Sequence, residues 1–254
     1  MSLDLTGAEG SREFIEAAAP EHPSLLDPTH RMSALFGVVN IPNVIWIDEA
    51  GLIVRPAEPG WPAEANDRPK PRLADLPTVG RARRAPEPID AARDTRAPID
   101  TGQARASYHE AIRDWAAHGP DSPYALSPDA VVARSQLRTH AMSEGAAHFE
   151  LANHLWRSGE RTRSIVHFNE ANRLQPDNWA YKRQAWSLVA RERVGDRNGF
   201  FVQGPLEGEE DSWPFDSDFW SDVAALPEGG YYPKTLEAAS NIATVARQAR
   251  RVAD

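Results

Sequence analysis

The stretch Phe36-Gly37-Val38-Val39-Asn40-Ile41-Pro42-Asn43-Val44-Ile45-Trp46-Ile47-Asp48-Glu49-Ala50-Gly51-Leu52-Ile53-Val54 decides how this chain is read. Gly37 is where a helix stops, because glycine takes the left-handed turn at little cost. Val44 to Ile47 is a continuous apolar run too short for a helix, which predicts a strand covered on both faces. Asp48-Glu49-Ala50-Gly51 turns the chain and Leu52-Ile53-Val54 returns it, so the segment reads as a β-hairpin. Pro42 stands between Ile41 and Asn43 and introduces the first strand. Asp48 and Glu49 are adjacent carboxylates, but at a hairpin turn such acids are ordinarily solvated.

Upstream, Gly10-Ser11 opens a run in which Phe14, Ile15 and Ala18 share a helical face, and Pro20 ends it. Asp27-Pro28 predicts a capped second helix with Met32, Leu35 and Phe36 on its buried side. Residues 1 to 56 therefore form one folded segment of two helices and two strands. Downstream, from Arg55 to about Gln103, nine prolines and many arginines replace the large apolar residues. Such a composition buries too little surface to offset its ordering entropy, so 57 to 105 is expected as a linker or extended loop.

Residues 106 to 192 are helical by period. Tyr108, Ile112 and Trp115 mark one helix ended by Gly119-Pro120, and Ser127-Pro128-Asp129 opens another, expected to reach Met142. Helices are expected over 145 to 157 and 161 to 175, with Ser158-Gly159 between them, and a fifth follows Asp177 or Asn178. The final segment, 193 to 254, combines an acidic run with Trp213, Phe215, Phe219 and Trp220. It closes on a glycine turn at 229 to 233 and an alanine-rich helix from Thr235 to Val252.

The 254 residues carry a net charge of −9, are 41% hydrophobic and contain no cysteine. That apolar fraction excludes a wholly disordered chain. The acidic balance argues against nucleic acid as a partner, which needs a basic surface. No apolar run nears the roughly 18 residues of a membrane span, and nothing in the N-terminal residues provides export, so a cytoplasmic location is expected. Without cysteine the chain has no disulfide, no thiolate metal site and no thiol nucleophile. Among His140, His148, His154 and His167 no two stand at the four-residue helical spacing of a zinc pair, and His109-Glu110 meets Arg113 where the second histidine would fall. No metal site or cofactor is expected. Gly-rich phosphate loops and nucleophile elbows are lacking too.

Two patterns carry more. Phe36 to Val54 resembles the segment of thioredoxin-like redoxins, of the ResA/TlpA and peroxiredoxin group, in which a helix end leads through a proline into a strand, Asp-x-x-Gly and a second strand. The resemblance implies that Pro42 is cis and shapes the redox cleft beside Ile41 and Asn43, where its backbone pairs with an extended substrate. Leu151-Ala152, Leu155, Gly159, Ser164, Phe168, Ala171, Leu174 and Pro176 resemble one tetratricopeptide repeat, at about 145 to 178, with His148 where that family prefers Trp and Ser164 where it prefers Ala. One repeat cannot bury its face alone, so flanking helices must cover it.

Their order, with Arg113-Asp114-Trp115-Ala116-Ala117-His118-Gly119 between them and Pro176 to Trp186 after, resembles the ResA-like WAxSUGDxL family of (seleno)proteins. The implied fold class is an α/β thioredoxin-like domain, here incomplete, plus an all-α tetratricopeptide-like region. Against that family the first strand and the redox helix are not in the chain, and Ser2-Leu3-Asp4-Leu5 matches the tail of a second strand. The nucleophile is then expected upstream of Met1, as for a reading frame begun after a selenocysteine codon read as stop. The implied activity is exchange with a protein disulfide, thiol or peroxide substrate, with no turnover by these residues alone. The alternative is a non-catalytic helical module that binds a partner protein through a groove lined by Asn153, Arg157 or Asn172. A third arrangement has Tyr108 to His118 as the last helix of the redoxin domain.

Overall fold

The computed structural model describes residues 7–60, 101–135, 137–194, 203–205 and 208–226. These form eight helices and one two-stranded antiparallel sheet: α1 (Ala8–Ala18), α2 (Arg31–Phe36), β1 (Asn43–Ile47), β2 (Ile53–Pro59), α3 (Thr101–His118), α4 (Pro128–Arg134), α5 (His140–Arg157), α6 (Arg161–Leu174), α7 (Trp179–Val194) and α8 (Phe219–Ala225). Short 3₁₀ turns occupy Gly119–Asp121 and Glu210–Ser212. Among the described residues no helix is long and apolar enough to cross a membrane. By their contacts these residues form two compact units, one holding 7–40, 138–194, 203–205 and 208–221, the other 41–60, 101–135, 137 and 222–226. The stretch read from sequence as 1 to 56 is thus shared between them at Asn40 and Ile41.

In the first unit α5 and α6 form an antiparallel pair joined by Gly159, whose φ of +82° is a conformation glycine adopts without a Cβ penalty. Small residues let the helices close. Ser164 Oγ donates to the Ala152 carbonyl at 2.8 Å, and a Cβ on Gly145 would stand 3.2 Å from Leu174 Cβ. Phe149 and Phe168 meet edge to face, and Phe149 stacks on Tyr181 of α7 with centroids 3.9 Å apart. Phe215 lies against Phe168 and Phe219 against Trp179, so the aromatic segment after α7 is anchored on buried rings.

The N-terminal helices differ from expectation in which side they bury. Phe14 is exposed, as are Met32 and Leu35, while Ser11, His30 and Ser33 are buried. Asp27 does cap α2, its carboxylate accepting the backbone N–H groups of Arg31, Met32 and Ser33, but the helix begins at Arg31. The helix expected from 127 to 142 is two helices. Ser127 caps α4 through the Ala130 N–H, Ser135 Oγ turns back to the Val131 carbonyl, and Thr139 caps α5 through the Met142 N–H. A second cap residue restarts the helix.

In the second unit β1 pairs with β2, with Trp46 opposite Arg55 and Ile47 opposite Ile53. Trp46, Tyr108, Ala111 and Tyr124 form its core, with Val44, Val54, Ile112 and Trp115 packed round them. Only one face of β1 is fully covered, since Ile47 is 44% exposed. β2 also runs on to Pro59, past the point where the composition suggests a linker, because Arg55 and Glu58 are buried as an ion pair. Helix α3 begins at Thr101. The rest of the extended stretch at 57 to 105, Ser2 to Leu5, and the turn and helix expected over 229 to 252 lie outside the described residues.

Candidate functional site

The Pro42 region lies at the mouth of the hairpin. The Ile41–Pro42 peptide bond is cis, and both residues are exposed. The Pro42 carbonyl accepts the Gly60 N–H at 3.4 Å, which ties the start of β1 to the end of β2. Gly60 is needed there, since a Cβ at that position would stand 2.3 Å from Val44 Cγ2. Asn43 is half-buried opposite Pro59, and its side-chain oxygen has no hydrogen-bond partner among the described residues. The far end of the hairpin is a closed turn. Asp48 receives the Leu52 N–H on its carboxylate and the Gly51 N–H on its carbonyl, so this acid is used structurally.

Further along the hairpin, Trp46 is buried, stacked on Trp115 at 4.9 Å, and its indole N–H donates to the Tyr108 hydroxyl at 3.4 Å. The Arg55 guanidinium lies 5.3 Å from the Trp46 ring, holds both Glu58 oxygens at 2.8 Å and donates to the Tyr124 carbonyl at 2.9 Å. Every strong donor there has a partner, which is what a buried charge requires. Burial pushes the Tyr108 phenol up to about 12, so it stays protonated at neutral pH and does not serve as a base. The hairpin offers an exposed backbone rim at Ile41 and Pro42 but no nucleophile, in a chain without cysteine.

The helical unit holds two further constellations. His30, buried at 1% exposure, sets its ring edge against Phe149 and Tyr181, with centroids 5.1 and 5.8 Å away. Neither ring nitrogen has a partner among the described residues, and burial lowers the imidazole to about 4 against the opposing pull of Asp27. Nearby, Ser33, Gly37, Val39, Arg138, Met142 and Gln175 line a shallow cleft with room for about one water. Gln175 donates to the Met142 carbonyl at 2.9 Å and accepts from Asn178, whose own side-chain oxygen caps α7 through the Tyr181 N–H. The cleft is a structural joint rather than a metabolite pocket.

On the open side of the α5–α6 pair, His148 and His167 meet with their Nδ1 atoms 2.8 Å apart. Both are half-buried, and His167 is lowered from its ordinary value by desolvation, by His148 and by Arg163, against the pull of Glu170. A search along one helix misses this pair because the partners sit on two. The repeat register contains the signal: with Ala152 against Ser164, one turn back on α5 is His148 and one turn on along α6 is His167. The groove residues proposed from sequence divide differently. Arg157 is exposed, whereas Asn153 is buried and donates to the Phe149 carbonyl of its own helix, and Asn172 is buried with its amide toward Ser217. Asn153 and Asn172 therefore hold helices together instead of lining a groove. Among the described residues no three His, Cys, Asp or Glu side chains gather as a metal cage. Compared with protein-family models, with curated proteins and with solved structures, the chain matches none.

Proposed function

We propose that this chain is part of a thioredoxin-like oxidoreductase of ResA type, in which the hairpin at 43 to 59 and the rim at Ile41, Pro42 and Asn43 form one wall of a redox cleft. The observation that supports this reading best is the order of elements from α2 to β2. A helix closed by Gly37 in the left-handed region leads through Pro42 into β1, an Asp48-to-Gly51 turn and the antiparallel β2, in the sequence that the redoxin resemblance implies. The substrate is a protein disulfide, thiol or peroxide, and the attacking thiol or selenol is supplied from outside these 254 residues, which contain no cysteine.

The test is to read the DNA immediately 5′ of the Met1 codon and to assay its product. An open frame encoding Trp-Ala, then a cysteine or an in-frame UGA, then Gly-Asp is expected. The extended protein is expected to reduce disulfide or peroxide, and the Pro42→Ala variant to do so more slowly. An unrelated upstream sequence, or an extended product with no redox turnover, sinks the reading. A second reading, a non-catalytic helical module, is favoured by the antiparallel α5–α6 pair closed on Ala152 and Ser164. It expects the whole chain, without any extension, to co-purify with a defined protein partner.

A further inference from the structure

We propose that His148 on α5 and His167 on α6 form a two-histidine chelate for a transition-metal dication that favours square-planar nitrogen and oxygen ligands, Cu(II) foremost. The argument begins with the spacing. Two nitrogens each about 2.0 Å from one metal are about 2.8 Å apart when they subtend a right angle, and about 3.3 Å apart at the tetrahedral angle. The two Nδ1 atoms are 2.8 Å apart, so the pair already has the bite of cis ligands on a square-planar ion. Its ring planes are tilted by 38° with centroids 5.0 Å apart, so the rings converge through their nitrogens rather than stacking face to face.

The present hydrogen bond occupies one Nδ1–H and one lone pair. Moving that proton to Nε2 of the same neutral ring leaves two lone pairs directed at a shared point, with no net charge change and no proton lost. The helices hold this geometry without help from the metal. Ser164 bonds to Ala152 one turn away, and Phe149 and Phe168, the neighbours of His148 and His167 in sequence, are interlocked in the core. Both rings are half-exposed, so an ion has access and water completes the coordination. Among charged neighbours, Glu170 lies one turn on from His167, is felt electrostatically by both imidazoles, and is paired with Arg173. Arg163, the opposing cation one turn back, is itself paired with Glu160. Glu170 thus supplies an anionic side to the site and is the one oxygen donor within a helical turn of the pair on α6.

The test is a calorimetric titration of the whole chain with glycine-buffered Cu(II) at neutral pH, together with the electron paramagnetic resonance spectrum of the one-to-one complex. One site is expected, with superhyperfine structure from two imidazole nitrogens. His148→Gln and His167→Gln should each weaken it by at least about tenfold, the loss that even an outer-shell partner of a metal ligand commonly causes. His22→Gln and His118→Gln should leave it unchanged, and Zn(II) should bind more weakly than Cu(II). Unchanged affinity in either chelate variant, a spectrum with fewer than two imidazole nitrogens, or tighter binding of Zn(II) overturns the proposal. The wild-type spectrum decides the matter should a variant fail to fold.

Discussion

His30 is the residue whose ionisation matters most for stability. Its imidazole sits at about 4 in the folded chain, whereas an unfolded histidine titrates near 6.5. Above about pH 7.5 neither state binds the proton and His30 costs nothing. Below 6.5 the unfolded state takes the proton first, so stability falls as the pH drops towards 4, by about 3 kcal/mol in total. Chemical denaturation followed by circular dichroism at pH 7 and pH 4.5 should show this loss. His30→Phe, which keeps an aromatic edge against Phe149 and Tyr181, should remove most of it, and an equal loss in the variant would refute the assignment. The sequence revealed the cap beside this site but not its burial. Asp27 followed by Pro28 is a legible helix start, yet hydropathy assigns the buried side to Met32 and Leu35. In the structure the polar His30 and Ser33 are inside, because the faces they meet are aromatic rings and backbone rather than an aliphatic core.

Among the elements, the α5–α6 pair was readable almost residue by residue, since small residues must stand where two helices cross. Ser164→Leu is expected to force those helices apart and destabilise by about 1–3 kcal/mol. Phe168→Ala, which empties a fully buried site, should cost about 3–5 kcal/mol. Ser164→Ala, by contrast, should change little, and urea midpoints of the three variants would rank them. The hairpin was legible in its first strand and turn, but β2 was read too short. Two charged residues three apart look like solvated surface, and nothing in a one-dimensional pattern says that Arg55 and Glu58 neutralise each other beneath Tyr124. Glu58→Gln leaves the guanidinium buried and uncompensated, and a loss of about 3 kcal/mol is expected. Replacing both by apolar residues, Arg55→Met with Glu58→Leu, should recover most of that loss. A double-mutant cycle in thermal denaturation measures the difference.

For the whole molecule, the two compact units should respond differently to acid. His22, His30, His140, His148, His154 and His167 all lie in the first, while the second has His109 and His118, the latter exposed. Hydrogen exchange at pH 7 and pH 5, corrected for intrinsic rates, should show protection falling in peptides covering Phe149 and Tyr181. Peptides covering Trp46 and Tyr108 should hold theirs. Equal loss in both would show that acid acts through something other than the buried imidazole. Composition located the proline-rich break in the chain but not this division, because a linker is visible in one dimension and a contact between residues 30 and 149 is not.

One bond in the first unit bears on how the gene is best dissected. The Val39 carbonyl accepts the Ala180 N–H at 3.1 Å, so the opening turn of α7 is completed by a residue that precedes the hairpin. A fragment that starts after the proline-rich stretch, the cut the sequence invites, would leave that amide without its acceptor. It would also strip His30 from the Phe149–Tyr181 stack and open an aromatic surface to solvent. Aggregation or non-specific binding by such a fragment would then report a missing cover rather than a native docking face. The self-sufficient piece of the helical region is a discontinuous one, with residues 7 to 40 supplied in cis or added back as a peptide.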